Sequence, residues 1–237
     1  MALKDLLITS LPQYAETLVS DKQISFRPMV VSEEKALLLA IQSGNKQTIL
    51  QTLMKIISGC FDSNKDWSVS EFEHMFLLLR AKSIGETEGF VIKCPQTEEE
   101  VSIKINLTKQ IRLIKNKTNN KIKLNESIML ILKEPTVKTL LKYPNYKESD
   151  EELYAFIGSC IKQIQKEKEI IDCSEITEKE KIDFIENLTS GQFKELVSYF
   201  DTLSHVEVFS EYETSDGVSR EINIRGLFDF ISFFLTI

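Results

Sequence analysis

The chain has 237 residues, of which 42% are hydrophobic and 27% charged, and its formal net charge is −7 at pH 7. A chain of this length fits one large domain or two small ones, and its composition is that of a globular protein, which excludes an intrinsically disordered one. The acidic balance argues against a protein built to neutralise phosphates, so nucleic acid is not an expected partner.

Targeting signals and cysteine usage narrow the class further. The opening residues lack the basic and apolar regions of a signal peptide, and the most apolar stretch, residues 226–237, is shorter than the roughly 20 residues that span a bilayer. The cysteines form no C-x-x-C pair and are expected to be reduced thiols; they are Cys60, Cys94, Cys160 and Cys173. We therefore expect a cytosolic protein without a membrane span.

The first part of the chain predicts a hairpin followed by helices. Residues 14–18 and 23–27 read as two short strands, and Ser32 is the predicted N-cap of a helix that ends at Gly44. Apolar residues at helical spacing over 46–58 predict a second helix.

A third helix and a second hairpin follow. Residues 70–73 (SEFE) match a capping box, and Gly85 lies just beyond the expected helix end. Residues 88–93 and 101–107 then predict two strands joined by a polar loop.

The later part of the chain begins after a polar, basic and non-periodic stretch at residues 115–123. A strand is predicted at 128–133, and Ser149 caps a helix whose apolar stripe continues through Ile164. The remaining predicted elements are helices opened by capping boxes at 177–180 and 189–192, a hairpin of 206–212 with 218–224, and a short apolar helix at 227–234.

The predicted fold class is α+β, with helices and short β-hairpins in two similar halves. The halves are residues 1–115 and 124–237, separated by a junction at 116–123. Each half runs from a strand ending in X-Pro through helices, a cysteine (Cys60 or Cys160) and capped helices to a hairpin. A diverged internal duplication and chance agreement explain this shared order equally well.

Sequence motifs for catalysis, metal binding or cofactor binding are absent. His74 and His205 lack the spacing of metal ligands, so a structural or surface role is expected for both. Residues 81–85 (AKSIG) contain the lysine and serine of a P-loop, but they lack its leading glycines and follow a helix. We expect no enzyme activity, no cofactor and no metal.

Arg80 directly follows a run of apolar residues and is expected to border the buried face of its helix. Two roles are open. Its head group either pairs with a carboxylate, with Glu33, Glu34 and Glu73 as candidates, or anchors a partner chain.

Two of these stretches together resemble the T-even-type bacteriophage baseplate family. Residues 24–44 read ISFRPMVVSEEKALLLAIQSG and are similar to the opening motif of that family. Residues 72–86 read FEHMFLLLRAKSIGE and are similar to its second motif, in the same order along the chain. The resemblance covers residues 24–107 well and the rest of the chain loosely.

The resemblance implies a late viral protein that acts without catalysis. It would be an assembly factor for the central hub of a contractile-tail baseplate, and it would bind hub or tape-measure subunits in the host cytoplasm. The alternatives are a permanent minor subunit of the hub in the virion baseplate, and an enzyme of unknown reaction that uses Cys94 or Cys160.

One feature departs from the family. Some members carry paired cysteines in the hairpin loops, resembling a zinc knuckle. Here the first loop keeps only Cys94 and the second loop has no cysteine. One thiolate cannot form a tetrahedral zinc site, so ordinary cross-strand packing is expected to hold the hairpins.

The C-terminal segment is the preferred candidate for partner contact. Its four phenylalanines cannot all point to one side of a short helix; they are Phe228, Phe230, Phe233 and Phe234. Together with Arg80 they form the set of candidate partner contacts. The alternative is that this segment closes the C-terminal core.

Overall fold

Short strands and helices alternate along the chain in the computed structural model, which describes residues 10–61, 65–116, 119–167 and 169–235. Eight helices and eleven strands lie within these ranges, which confirms the predicted α+β class. The helices are α1 (Val31–Gln42), α2 (Lys46–Cys60), α3 (Val69–Ser83), α4 (Val137–Lys142), α5 (Asp150–Cys160), α6 (Glu178–Glu186), α7 (Ser190–Asp201) and α8 (Leu227–Leu235). The strands are β1 (Tyr14–Thr17), β2 (Gln23–Phe26), β3 (Thr87–Lys93), β4 (Glu100–Asn106), β5 (Ile111–Ile114), β6 (Lys121–Lys123), β7 (Ile128–Leu132), β8 (Ile161–Lys166), β9 (Glu169–Asp172), β10 (His205–Glu213) and β11 (Ser219–Arg225).

Side-chain caps determine where several helices begin. Thr177 and Thr189 form the predicted capping boxes of α6 and α7, in which the hydroxyl accepts a hydrogen bond from a first-turn N–H. The helix α3 begins earlier than the sequence predicts. Its capping box is formed by Ser68 and Glu71 and not by residues 70–73.

The strands form four small antiparallel sheets. The hairpins β1–β2, β3–β4 and β10–β11 are the three that the sequence predicts. The sheet orders are β1-β2, β3-β4, β11-β10-β5 and β6-β7-β8-β9. The pairing of β5 with β10 joins segments that are far apart in the chain, so no local pattern indicates it.

The strand β8 occupies the place where the sequence predicts the end of a helix. The prediction that the helix begun at Ser149 continues through Ile164 is wrong, because α5 ends at Cys160. The next residues pair with β7 on one side and β9 on the other. Isoleucine suits a strand as well as a helix, so the available strand partners decide its conformation here.

The buried hydrophobic side chains form two clusters. The first cluster joins α1–α4 and the hairpin β3–β4 to β10, β11 and α8. The second cluster draws its buried residues from 124–203. The first cluster therefore contains residues of both predicted halves, and an internal duplication is not confirmed. The domain division at 116–123 stays a prediction, and residues 117–118 of that junction lie outside the described ranges.

Candidate functional site

Residues 24–44, the first of the two family-like motifs, contain the hydrogen bonds that fix the start of α1. The Glu33 carboxylate accepts hydrogen bonds from both terminal nitrogens of Arg27, at 2.9 and 2.7 Å, and from the Val30 N–H at 2.9 Å. A carboxylate at this position complements the helix dipole. Burial tends to raise the pKa of Glu33, but the hydrogen bonds from Arg27 and Val30 outweigh burial and lower it. Ser32, the predicted N-cap, lies inside α1.

Arg80 in the second motif connects three elements from a buried position. Its side chain is 2% exposed and forms an ion pair with Glu88 of β3. The guanidinium also donates hydrogen bonds to the carbonyl oxygens of Gly85, at 3.1 Å, and Phe234 of α8, at 3.3 Å. The carboxylate that pairs with Arg80 is thus none of the three suggested by the sequence. Arg80 ties α3 to β3 and to α8.

The two motifs are in direct contact. The Ser83 hydroxyl at the end of α3 accepts a hydrogen bond from the Met29 N–H at 2.8 Å and donates one to the Leu79 carbonyl oxygen at 2.6 Å. The side chains of Arg27, Glu33, Arg80 and Ser83 therefore all have partners within the chain. The motif residues serve the fold of the first cluster.

The helix α8 packs its phenylalanines against the first cluster. Phe230 and Phe234 are 0% and 5% exposed, whereas Phe228 and Phe233 are partly buried. The Phe90 ring of β3 lies 4.6 Å from the ring of Phe233 and 5.6 Å from that of Phe234, measured between centroids. Phe228 and Phe233 are therefore more exposed than Phe230 and Phe234. Partner contact through Arg80 and these phenylalanines stays a prediction.

The helix α8 lies in the most apolar stretch of the chain, residues 226–237. No helix in the described ranges, α8 included, combines the length and the apolar character that crossing a bilayer requires.

Glu73 belongs to α3, and its buried carboxylate lies beside the first residue of α8. The residue is 6% exposed, and its side chain accepts a hydrogen bond from the N–H of Leu227, the first residue of α8. It thereby satisfies one of the N–H groups that a helix leaves unpaired at its N-terminus. Burial raises the pKa of Glu73 to about 7, although this hydrogen bond and the charges of Arg225 and Lys147 oppose the rise.

Ionisation of Glu73 is expected to weaken the fold as the pH rises. The pKa is about 7 in the folded chain, against an ordinary value of 4.5. Between these values the folded state binds more protons than the unfolded state, so stability falls as the pH increases. Urea unfolding from about pH 5 to about pH 8 should show the stability of the protein, relative to Glu73→Gln, decreasing by about 2 kcal/mol. A difference that does not change with pH would contradict this role.

A cleft of about 400 Å³ opens beside Glu73, between the two hydrophobic clusters. Its lining includes Tyr146, Phe156 and Phe200. The rings of Tyr146 and Phe156 are stacked, with centroids 4.2 Å apart. Burial raises the pKa of Tyr146 to about 12, so its hydroxyl is protonated at neutral pH. The cleft therefore combines three aromatic rings with three acidic side chains, because Glu134 and Asp201 line it as well as Glu73.

The two histidines lie in different elements and have different environments. His205 at the start of β10 places Nε2 at 3.0 Å from Glu207 Oε1 and Nδ1 at 2.9 Å from the Leu203 carbonyl oxygen. His74 in α3 is buried, and burial lowers its pKa to about 4. His74 is therefore neutral at neutral pH.

The cysteines are buried and carry free thiols. Burial raises the pKa of both Cys60 and Cys160 to about 12. For Cys94 burial acts in the same direction, but hydrogen bonds with Thr97 and Tyr212 outweigh it and lower the pKa to about 7. Across the described residues, no group of three or more histidine, cysteine or acidic side chains is placed to hold a metal ion.

Two carboxylates join distant segments of the chain. Glu71 is 3% exposed and accepts hydrogen bonds from the Ser20 hydroxyl at 2.6 Å and the Lys22 ammonium at 2.5 Å. Glu99 accepts hydrogen bonds from the N–H and the hydroxyl of Ser215, at 3.0 and 2.9 Å, and so links the loops of two hairpins. Glu71 has a local signal, its place in a capping box, whereas Glu99 lies in a charge run that predicts only a solvated loop.

Comparison with known protein families gives a match to the family described as T4 bacteriophage base plate protein, over residues 11–232. Neither the curated proteins nor the solved structures give a significant match.

Proposed function

Because the chain belongs to the family of T4 bacteriophage base plate proteins, we propose that it is a non-enzymatic assembly factor for the central hub of the phage baseplate. In this role it binds hub or tape-measure subunits in the host cytoplasm and keeps them competent for assembly. The observation that carries the proposal is the family match over residues 11–232, which includes both hydrophobic clusters.

Action by binding agrees with the way the chain uses its motif residues. Arg27, Glu33, Arg80 and Ser83 are engaged in contacts that build the first cluster. The net charge of −7 favours protein partners over nucleic acid. The proposed partners are therefore other proteins of the baseplate.

A pull-down from infected cells with the tagged chain tests this proposal. We expect recovery of baseplate hub or tape-measure proteins, and recovery of host metabolic proteins alone would refute it. Mass spectrometry of purified mature particles separates the two baseplate roles. An assembly factor is absent from the particle, whereas a permanent subunit is present in a fixed number of copies.

Alanine variants of two cysteines test catalysis. Cys94→Ala and Cys160→Ala are both expected to support baseplate assembly at the wild-type level in a complementation assay, because the proposed role needs no nucleophile. Cys160→Ala is expected to reduce stability by about 1 kcal/mol through lost packing. A folded Cys94→Ala protein that fails in assembly would favour an enzyme that uses this thiol.

A further inference from the structure

Two free strand edges face the same groove. In the part of the chain that the structure describes, β3 pairs with β4 alone and β11 pairs with β10 alone. A groove of about 780 Å³ is lined by residues 88–91 of β3 and residues 222–225 of β11. The helix α8 lines a third side through Asp229, Ser232 and Phe233.

The register of the first hairpin shows which backbone groups of β3 are turned toward its free edge. The Cys94 N–H donates a hydrogen bond to the Glu99 carbonyl oxygen opposite it, at 2.8 Å. Bonded and non-bonded pairs alternate along an antiparallel ladder. The even-numbered residues of β3 therefore bond to β4, and the N–H and C=O groups of Gly89 and Val91 point away from it. Both of these residues line the groove.

The same reasoning applies to β11. The Thr214 N–H donates a hydrogen bond to the Val218 carbonyl oxygen opposite it, at 3.4 Å, so the even-numbered residues of β11 bond to β10. The N–H and C=O groups of Asn223 and Arg225 consequently point away from β10, and both residues line the groove. On each edge, two residues that are two positions apart therefore point their N–H and C=O groups outward. This is the spacing at which a further strand forms hydrogen bonds.

On the β3 side of the groove, Gly89 and Val91 leave the strand uncovered, although the packing of the chain does not require a glycine there. Val91 is 67% exposed. At Gly89 an added Cβ would meet only the Ile103 carbonyl oxygen, at 3.9 Å, which is an ordinary contact, and its φ lies outside the left-handed region. Neither backbone conformation nor internal packing demands glycine there. A glycine within a strand often marks a place where another backbone approaches closely.

We propose that this groove binds an extended segment of a partner protein, which adds a strand between β3 and β11. The combined ladder runs β4-β3-partner-β11-β10-β5. Backbone hydrogen bonds to both edges provide the affinity, and alternate side chains provide selectivity. An apolar side chain of this segment fits beside Phe90 and Phe233, and a polar one fits beside Asp229 and Ser232 of α8. The partner's identity as a baseplate protein rests on the proposed function.

Val91→Pro is the informative variant. Because the Val91 N–H points away from β4, proline removes no hydrogen bond within the hairpin, but it removes a donor that the added strand needs. Val91→Ala keeps this donor and deletes only the side chain.

Ile170→Pro is the matched control. Ile170 is 61% exposed on β9, the edge strand of the four-stranded sheet. The Cys173 N–H donates to the Lys162 carbonyl oxygen opposite it, at 3.0 Å, so the Ile170 N–H also points to a free edge. The two proline variants therefore make the same change on two different sheets.

Affinity measurements with each phage hub and tape-measure protein, expressed singly, provide the first test. For the protein that the wild-type chain binds, Val91→Pro is expected to weaken affinity at least about tenfold, the effect of one lost hydrogen bond, whereas Val91→Ala and Ile170→Pro change it by less than about threefold. Equal affinity of the wild type and a folded Val91→Pro protein would overturn the inference.

Hydrogen exchange of the wild-type complex tests the same contact without a variant. The amides of Gly89, Val91, Asn223 and Arg225 are expected to exchange more slowly in the complex than in the free chain, and that of Ile170 at an unchanged rate. A complex that leaves all four rates unchanged overturns this inference but not the proposed function. A wild-type chain that binds none of the proteins overturns both.

Discussion

Replacement of Phe230 by alanine is expected to lower the free energy of unfolding by about 3–5 kcal/mol, the range for a buried phenylalanine. The Phe230 side chain is fully buried, on the face of α8 that packs against the first cluster. Its ring centroid lies 6.4 Å from that of Phe234. Because the surrounding side chains are close-packed, they fill the resulting cavity only in part. Urea unfolding followed by far-ultraviolet circular dichroism measures the loss.

Phe228→Ala is the matched control, since it makes the same change on the same helix at a partly buried position. The Phe228 ring has the Lys46 ammonium 5.3 Å from its centroid. The expected loss is about 1 kcal/mol. Equal losses for the two variants would contradict the packing of α8 against the first cluster.

Truncation after Gly226 examines the same helix as a whole. Because α8 contributes five buried side chains to the first cluster, the truncated chain is expected to unfold. A truncated chain that stays folded but no longer binds hub proteins would identify α8 as an interface instead.

Arg80→Ala is also expected to lower the free energy of unfolding, by about 2–5 kcal/mol, because it truncates a buried side chain and removes the donor of two carbonyl oxygens. The change leaves the Gly85 and Phe234 carbonyl oxygens without their donor and Glu88 without its ion-pair partner. The Glu88 side chain is 46% exposed, and water can solvate it in the variant. The loss is therefore expected near the lower end of the range.

Two variants separate the interactions of Arg80 from its charge alone. Lys82→Ala removes a nearby cation that forms an ion pair with Glu86, four residues further along the chain. The expected loss in the free energy of unfolding is about 0.5 kcal/mol. Arg80→Lys keeps the charge but lacks the forked donors, and its loss should lie between those of the two alanine variants. If Arg80→Ala were as mild as Lys82→Ala, the buried contacts of Arg80 would contribute little to stability.

Local signals in the sequence predict much of the secondary structure. The capping boxes at Thr177 and Thr189 and the turn at residues 215–217 are correct because the groups that form them lie within a few residues of one another. The resemblance motifs are informative for a related reason. They contain the residues that fix the entry to α1 and the exit from α3.

Long-range partners could not be predicted in this way. Arg80 and Phe234 are 154 residues apart, and nothing near either residue indicates their contact. The same holds for β8, where the isoleucines fit a helix or a strand until β7 and β9 are in place. Val91 lies at a free edge because no other strand of the described residues pairs with that side of β3. This depends on how the sheets assemble, so no local sequence signal indicates it.

The first hydrophobic cluster can form only late in synthesis, because it contains the last elements of the chain. The cluster needs β10, β11 and α8, which are translated after all the buried residues of the second cluster. At about 5–20 residues per second, the apolar faces of α2 and α3 thus stay uncovered for several seconds or more on the ribosome. The second cluster, contiguous in the chain, can close first. A chain released after residue 204 would carry all the buried residues of the second cluster and an unfinished, aggregation-prone first one.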